Sequence, residues 1–213
     1  MLHAPNAGDH IVKLWRQGLF YEGRAGELLD WMWNDYYLHT AGERTYVDVG
    51  AHWGNHMVFA LKSGLFTHAV GFEPEHGNYS TCKHNLEANG VKNYALIKAA
   101  IGQENKMGVM HLPDNGLDNS GMMRFRDTLP EVPMLRLNDL AIQSCHLLKI
   151  DAEGLEREVL LGGWEFFEKH KPVIAIEVLD EQMDSVSRVL DQIGYIMQLQ
   201  TANRTPTYIY QPR

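Results

Sequence analysis

From residue 45 onward, short runs of apolar residues alternate with longer stretches in which apolar residues recur every three or four positions. The short runs predict β-strands and the longer stretches predict amphipathic helices, so the chain should form βαβ units around a mostly parallel sheet. The predicted strands are 46–49, 69–73, 94–99, 147–150 and 173–178, with a closing antiparallel pair at 195–199 and 207–210. The predicted helices are 55–65, 78–89, 154–167 and 180–193.

The N-terminal part of the chain has a different pattern. Residues 9–37 carry helical periodicity and are rich in Trp and Tyr. We therefore expect a single domain over residues 1–213, in which an N-terminal helical extension (1–40) precedes the α/β core (41–213). The aromatic residues of the extension are expected to pack against the sheet or, as an alternative, to cover a substrate pocket or a dimer contact.

A second departure from the alternation lies between residues 102 and 133. Turn-forming residues are concentrated there, among them the run Asp118-Asn119-Ser120-Gly121. The pattern predicts a long loop after a short strand at 108–112, and a long loop inside a compact domain is usually functional or disordered. The run at 118–121 is expected either to face a substrate or to form a solvated turn.

Composition narrows the classes of function. The chain has 213 residues, of which 45% are hydrophobic, and a net charge of −8, which argues against nucleic acid as a partner. No apolar run approaches the ~18 residues of a membrane span, and no leader sequence is visible at the N-terminus. The two cysteines are far apart and provide no zinc framework. We expect a cytoplasmic protein with no membrane or metal requirement, and the pattern leaves a homodimer open.

The first predicted strand ends in a turn that suggests a ligand site. Asp48 begins the spacing Asp-x-Gly-x-x-x-Gly, with glycines at 50 and 54 that allow a sharp turn and close ligand approach. The G-x-G-x-x-G fingerprint of dinucleotide sites is not met, so a nucleoside without a pyrophosphate fits better. His52 and His56 stand four residues apart, but a third metal ligand is missing from this motif, and pocket-lining histidines are expected instead.

A second acid, Glu73, ends the next predicted strand and is followed by Pro74. An acid at this position can accept hydrogen bonds from ribose hydroxyls. Two acids at successive strand ends, without a phosphate cradle, suit a cationic nucleoside such as S-adenosylmethionine. The alternative is that Asp48 and Glu73 only cap the helices that follow them.

The fourth predicted strand leads into the run Lys149-Ile150-Asp151-Ala152-Glu153-Gly154. In open α/β sheets, ligands bind outside the carboxyl ends of the strands, where Asp151 and Glu153 should join Asp48. Carboxylates held together raise one another's pKa, and a bound cation relieves the repulsion. The alternative is that Glu153 caps the next helix and that Lys149 and Asp151 form a structural ion pair.

These motifs give the chain a family resemblance. It resembles the FkbM-type S-adenosylmethionine-dependent methyltransferases, and the matching pieces follow the family's order at 47–54, 71–74, 99–102, 148–154, 160–163 and 171–177. The resemblance implies a Rossmann-like class I methyltransferase fold, with a seven-stranded, mostly parallel sheet and helices on both faces. It also implies methyl transfer to oxygen of a small molecule, often a sugar or a polyketide-like hydroxyl.

The resemblance also implies roles for individual residues of the cofactor site. Asp48, Gly50 and Gly54 would line the methionine end, Glu73 the ribose, and the backbone near Ala100 and Ile101 the adenine. Pro74 would lie in the cofactor site as the residue that turns the chain past the pocket. His52 would also lie in the cofactor site, where the family usually has asparagine.

The acceptor side of the site is assigned from the strand ends. We assign Asp151 to positioning near the sulfonium and Glu153 to orienting the acceptor or removing its proton. His56 is a weaker alternative base, and Glu177 either reaches the acceptor or pairs with Lys149. The acceptor pocket itself should be formed by the N-terminal extension and the loop around Asp118.

Two other functions remain open from the sequence. One is a nucleotide-dependent oxidoreductase on the same topology, which the missing third glycine disfavours. The other is a non-catalytic module that binds a nucleoside. Comparing the affinities for S-adenosylhomocysteine and NAD distinguishes a methyltransferase from an oxidoreductase. Transfer of a labelled methyl group distinguishes a methyltransferase from a non-catalytic module.

Overall fold

The computed structural model describes residues 22–36, 42–111, 124–126, 132–201, 203, 205 and 207–213. Most of the predicted N-terminal extension and the predicted turn at 118–121 lie outside the described residues. The strands, in chain order, are β1 (Thr45–Val49), β2 (His68–Phe72), β3 (Tyr94–Ile97), β4 (Ala100–Ile101), β5 (Lys106–His111), β6 (Arg124–Arg126), β7 (Val132–Leu135), β8 (Leu147–Ile150), β9 (Val173–Glu177), β10 (Tyr195–Gln200) and β11 (Thr207–Pro212).

Seven of these strands form one sheet in the order β10-β11-β9-β8-β1-β2-β3. The pairs from β9 to β3 are parallel, and β11 is antiparallel to both of its neighbours. The predicted seven-stranded, mostly parallel sheet is therefore confirmed. Strand β1 lies between β2 and β8, which makes the carboxyl ends of β1 and β8 the switch point of the sheet.

Helices cover both faces of this sheet. They are α1 (Leu28–Trp31), which continues as a π-helical turn (Met32–Tyr36), α2 (Asn55–Lys62), α3 (His76–Ala88), α4 (Glu156–Leu161), α5 (Trp164–His170) and α6 (Met183–Gln192). One core contains Tyr46 and Leu147 together with residues of α1, α2 and α3. The other contains Val47 and Ile150 together with residues of α4, α5 and α6.

The predicted helix at 154–167 is two helices in the structure. Gly162 and Gly163 separate α4 from α5, and a Cβ on Gly162 would lie 2.0 Å from the carbonyl oxygen of Gly102. The helix is interrupted where the backbone of a distant segment packs directly against it. The sequence shows the two glycines but not the segment that requires them.

The region between residues 102 and 133 is only partly a loop. Strands β5 and β7 from this region pair with each other and with β4 and β6 in a second, four-stranded sheet. The expected short strand at 108–112 is present as β5, two residues earlier. Strand β7 was not predicted, since it is four residues long and contains Pro133, which weakens the strand signal.

No described helix has the length and apolar character needed to cross a membrane.

Candidate functional site

The turn after β1 has an unusual backbone. Gly50, His52 and Gly54 all have positive φ, of 83°, 48° and 81°. A Cβ on Gly50 would lie 1.8 Å from the carbonyl oxygen of Asp151, and one on Gly54 would lie 2.7 Å from Sγ of Cys82. Both glycines are thus required by conformation and by close packing. Gly50 thus brings the turn after β1 directly against the end of β8, and Gly54 brings it against α3.

Asp48 is a fully buried carboxylate at the end of β1. Neither of its oxygens makes a hydrogen bond with a described residue, and Nζ of Lys149 is 3.7 Å from Oδ1. Burial raises the pKa of Tyr46, and the charge of the nearby Asp48 raises it further. The geometry of the Tyr46 hydroxyl and the Asp48 carboxylate does not meet the criteria of a hydrogen bond. Burial raises the pKa of Asp48 and the positive charge of Lys149 opposes this. A buried carboxylate with so little compensation favours an additional cation nearby.

Lys149 joins Asp48 to the end of β8. Its register partner on β1 is Asp48, so both side chains lie on the same face of the sheet. Nζ of Lys149 is 3.0 Å from Oδ2 of Asp151, which is partly exposed. Burial lowers the pKa of Lys149, but the charges of Asp151 and Asp48 outweigh burial and raise it overall. The ion pair between Lys149 and Asp151, which the alternative interpretation expected, is present and lies at the carboxyl edge of the sheet.

Glu73 follows directly after β2 and is buried. Its Oε2 accepts the backbone N–H of His52 (2.8 Å) and its Oε1 accepts that of Glu75 (2.9 Å). Burial raises the pKa of Glu73 to about 7, against the effect of these two hydrogen bonds. The cap of α3 is Glu75, whose side chain accepts from the N–H of Asn78, and not Glu73. Glu73 therefore connects the β1 turn to the end of β2.

His52 is held inside the β1 turn. Its ring stacks on Trp53 with centroids 4.5 Å apart, and burial lowers its pKa to about 4. The ring is thus neutral at neutral pH. His56 lies one turn further along α2, and in the described part of the chain no group of three His, Cys, Asp or Glu side chains is arranged to hold a metal ion.

The turn after β8 is fixed by a residue that the motif analysis did not single out. Glu153 and Gly154 have positive φ, of 50° and 102°. Oε1 of the buried Glu156 accepts the backbone N–H groups of Ala152 (3.0 Å) and Gly154 (3.1 Å). Glu156 therefore stabilises the turn before α4, and neither Glu153 nor Glu156 caps this helix, whose N-terminus has no side-chain cap hydrogen bond. The available signal was a second acid two residues after the glycine.

The N-terminal segment contributes a further carboxylate. Oε2 of Glu22 is 2.8 Å from Nε2 of His56, and both side chains are buried. Glu22 also acts electrostatically on Lys149 and on Glu177, so it lies close to the same group of charges. Sequence reasoning missed Glu22, because no local pattern relates it to α2.

The remaining predicted cofactor residues lie at the neighbouring strand ends. Pro74 separates Glu73 from the capping Glu75. Ala100 and Ile101 are buried and form β4, which pairs in parallel with β7. Their contact with a bound adenine stays a prediction, as do the ligand roles of Asp48, Gly50, His52, Gly54 and Glu73.

A comparison with protein families finds one match, to the Methyltransferase FkbM domain, over residues 48–199. The matched region starts at Asp48 and ends within β10, so it includes the turns after β1, β2 and β8 but not Glu22. A comparison with curated proteins found no match.

Solved structures with the same fold include several methyltransferases. Methyltransferase FkbM from Methylobacillus flagellatus KT has a TM-score of 0.60 at 18% identity, over 84% of this chain and 46% of that one. An rRNA methylase from Streptococcus thermophilus has a TM-score of 0.50 at 15% identity, over 87% and 94% of the two chains. SMU.1697c of Streptococcus mutans, solved in complex with SAH, has a TM-score of 0.50 at 15% identity, over 83% and 92%. The chain spans less than half of the Methylobacillus protein, and at these identities the likeness concerns the fold.

Proposed function

Because the chain belongs to the FkbM methyltransferase family, we propose that it transfers a methyl group from S-adenosylmethionine to a hydroxyl of a small molecule such as a sugar or a secondary metabolite. The observation that carries this proposal is the buried Asp48 carboxylate at the switch point of the sheet, whose oxygens make no hydrogen bond with a described residue and lie no nearer than 3.7 Å to the ammonium of Lys149. Ligands bind at this point in open α/β sheets. A carboxylate with this environment is stabilised by a cation, and S-adenosylmethionine carries a sulfonium and an ammonium group.

The described residues fit this cofactor. Asp48 is fully buried, so it would act on the bound cation through its charge. The carboxylate of Glu73 accepts two backbone N–H groups and has a side-chain hydrogen bond with Asn78, and since a carboxylate has about four acceptor positions, one is left for a ribose hydroxyl. The turn at Gly50 and Gly54 brings backbone rather than side chains to the edge of the sheet, and His52 lies within that turn. The complete cofactor site in this proposal also includes Pro74, Ala100 and Ile101.

S-adenosylmethionine supplies an electrophilic methyl group, and the chain's own residues position the acceptor. Transfer needs the acceptor oxygen, the methyl carbon and the sulfur in line, and such positioning contributes roughly 7–11 kcal/mol. Asp151 is oriented by its ion pair with Lys149 and would lie beside the sulfonium. Glu153, held in a positive-φ turn after β8, would orient the acceptor or remove its proton.

The acceptor is proposed to be small and not anionic. The edge of the sheet carries several carboxylates and one lysine, and the chain as a whole has a net charge of −8. This charge disfavours phosphate-bearing substrates, including RNA. Both cysteines are buried and unpaired, which supports the cytoplasm as the location of the reaction.

Calorimetry with S-adenosylhomocysteine and with NAD tests the proposed cofactor. We expect binding of S-adenosylhomocysteine and none of NAD, while preferential binding of NAD would favour the oxidoreductase. Asp48→Asn should bind S-adenosylmethionine more weakly by about tenfold or more, since a charge-assisted interaction is lost. Asp191→Asn is the matched control, because Asp191 is exposed and paired only with the exposed Arg213.

Transfer of a labelled methyl group tests the acceptor class. The protein is incubated with labelled S-adenosylmethionine and either a metabolite extract or total RNA. Label in the metabolite fraction as base-stable methyl ethers supports the proposal. Label in RNA would replace the proposed acceptor, and binding of the cofactor without any transfer would indicate a non-catalytic module.

A further inference from the structure

Glu177 lies at the carboxyl end of β9, on the face of the sheet that carries Lys149. Lys149 pairs with Ala175 in the register between β8 and β9. Side chains two positions apart on a strand lie on the same face, so Glu177 follows Ala175 on the Lys149 face toward the edge of the sheet. Asp151 follows β8 at this same edge. The fold thus brings Glu177 beside the candidate site, as one of the two alternatives from the sequence expected.

The surroundings of Glu177 are charged and largely acidic. Asp151 and Glu153 act on it from the end of β8, Glu22 from the N-terminal segment and Lys149 from β8 itself. The ammonium of Lys149 is bound to Asp151, and the side chain of Glu177 makes no hydrogen bond or ion pair with a described residue. Burial, followed by the charge of Asp151, raises the pKa of Glu177 to about 9. The side chain of Glu177 is therefore protonated at neutral pH and has no hydrogen-bond partner among the residues that the structure describes.

We propose that Glu177 contacts the acceptor hydroxyl and accepts its proton during methyl transfer, and that the positive charge of the methyl donor keeps Glu177 ionised for this step. The inference rests on the methyltransferase function proposed above. Other carboxylates at this edge are already engaged, Asp151 by Lys149 and Glu156 by two backbone N–H groups. Glu153 is then left to orient the acceptor.

In this step, the O–H bond of the acceptor breaks and its proton moves to a carboxylate oxygen of Glu177. The acceptor oxygen supplies the electron pair of the new O–CH3 bond. The S–CH3 bond breaks and its electron pair stays on sulfur. The products are the methyl ether, S-adenosylhomocysteine and a protonated Glu177, which no longer faces a sulfonium charge.

The charge of the donor explains how a carboxyl that is neutral in the free protein can serve as a base. An opposite charge within about 4–6 Å favours the ionised form of a carboxyl. Binding of the sulfonium should therefore release the proton of Glu177 to solvent. Because the thioether product is uncharged, Glu177 should recover its proton after transfer, and the base would be active only while the donor is bound.

Proton release on binding tests this inference without any acceptor. Calorimetry in two buffers of different ionisation enthalpy gives the protons released with S-adenosylmethionine and with S-adenosylhomocysteine near neutral pH. The two ligands differ by the sulfonium charge, so protons released by other groups, such as Glu73, largely cancel in the difference. We expect S-adenosylmethionine to release about half a proton more than S-adenosylhomocysteine.

Two variants assign this proton to Glu177. Glu177→Gln should abolish the difference between the ligands while S-adenosylhomocysteine binds within about threefold of wild type. Glu181→Gln, a nearby exposed change, should keep the difference. With an identified acceptor, Glu177→Gln should also reduce turnover by about 10²–10⁴-fold, the range of general base catalysis.

The outcomes separate the inference from the proposed function. An equal release for both ligands in the wild type, or a difference that persists in Glu177→Gln, overturns the role of Glu177. Failure of both ligands to bind overturns the methyltransferase proposal itself. If Glu177→Gln does not fold, infrared spectra of the wild type decide: the carbonyl stretch of a protonated carboxyl should vanish with S-adenosylmethionine and persist with S-adenosylhomocysteine.

Discussion

The backbone of Gly50 packs so closely against the carbonyl of Asp151 that a Cβ on Gly50 would lie 1.8 Å from that oxygen. This contact joins the turn after β1 to the end of β8, and it fixes the separation of the two strand ends. Any side chain at position 50 must push the turn away from Asp151. The geometry of the site therefore requires a residue without a Cβ at position 50.

Gly50→Ala should disrupt the site, while Gly64→Ala should not. Both glycines have positive φ, 83° and 76°, but a Cβ on Gly64 meets open space. The second change should cost only the conformational strain of roughly 1–2 kcal/mol. Urea unfolding and S-adenosylhomocysteine binding measure both variants. If both variants lost the same stability and both still bound S-adenosylhomocysteine normally, the contact between Gly50 and Asp151 would not be important for the site.

Lys149→Met should strongly destabilise the protein. It leaves Asp48 and Asp151 without their cation, and removing one partner of a buried ion pair costs about 3–5 kcal/mol. The control is Arg157→Met, since the exposed pair with Glu158 should contribute at most about 1 kcal/mol. Denaturant unfolding gives both values. S-adenosylmethionine should stabilise Lys149→Met more than S-adenosylhomocysteine does, because only the former supplies a sulfonium.

The affinity for S-adenosylhomocysteine should depend on the ionisation of Glu73. The pKa of Glu73 in the free protein is raised to about 7, and the ionised form is the better acceptor for ribose hydroxyls. The dissociation constant should thus increase as the pH falls below 7, by up to about tenfold per pH unit. Calorimetry across this range measures the effect. Glu73→Gln should lack this part of the pH dependence, and an identical profile in the variant would exclude the role.

Glu177 should make the protein less stable as the pH rises. Its pKa is about 9 in the folded protein and about 4.5 in the unfolded chain, so the folded state binds more protons between these values. The titration of Glu177 leaves the free energy of unfolding unchanged below about pH 4.5 and lowers it as the pH rises from there toward 9. The melting temperature of Glu177→Gln should therefore decline less steeply over this interval. Parallel profiles for variant and wild type would contradict the raised pKa.

Several elements could be predicted from local sequence because their signals are local. The strand at 147–150 has the bounds that the sequence predicts, since three of its four residues are apolar and polar residues flank it on both sides. Asp48, Glu73 and Asp151 could be identified because each directly ends or follows such a run. Parallel strands bring their carboxyl ends to one edge, so the placement of these acids follows from the fold class.

Other features could not be predicted, because they depend on pairs of residues far apart in the chain. Glu22 meets His56 only after the N-terminal segment packs on α2. The break at Gly162 follows from the approach of Gly102. In both cases, no local pattern specifies which distant group arrives.

The sequence by itself determined the alternation of strands and helices, the family and the acids at the strand ends, because these follow from periodicity and short motifs. Only the tertiary structure decided which charges face one another. In the structure, Lys149 forms ion pairs with Asp48 and Asp151, and Glu156 accepts two backbone N–H groups. The side chain of Glu177 has no hydrogen bond or ion pair with a described residue. The reason is that a pKa or an ion pair depends on distance and burial, which the order of strands in the sheet fixes and the order of residues in the chain does not.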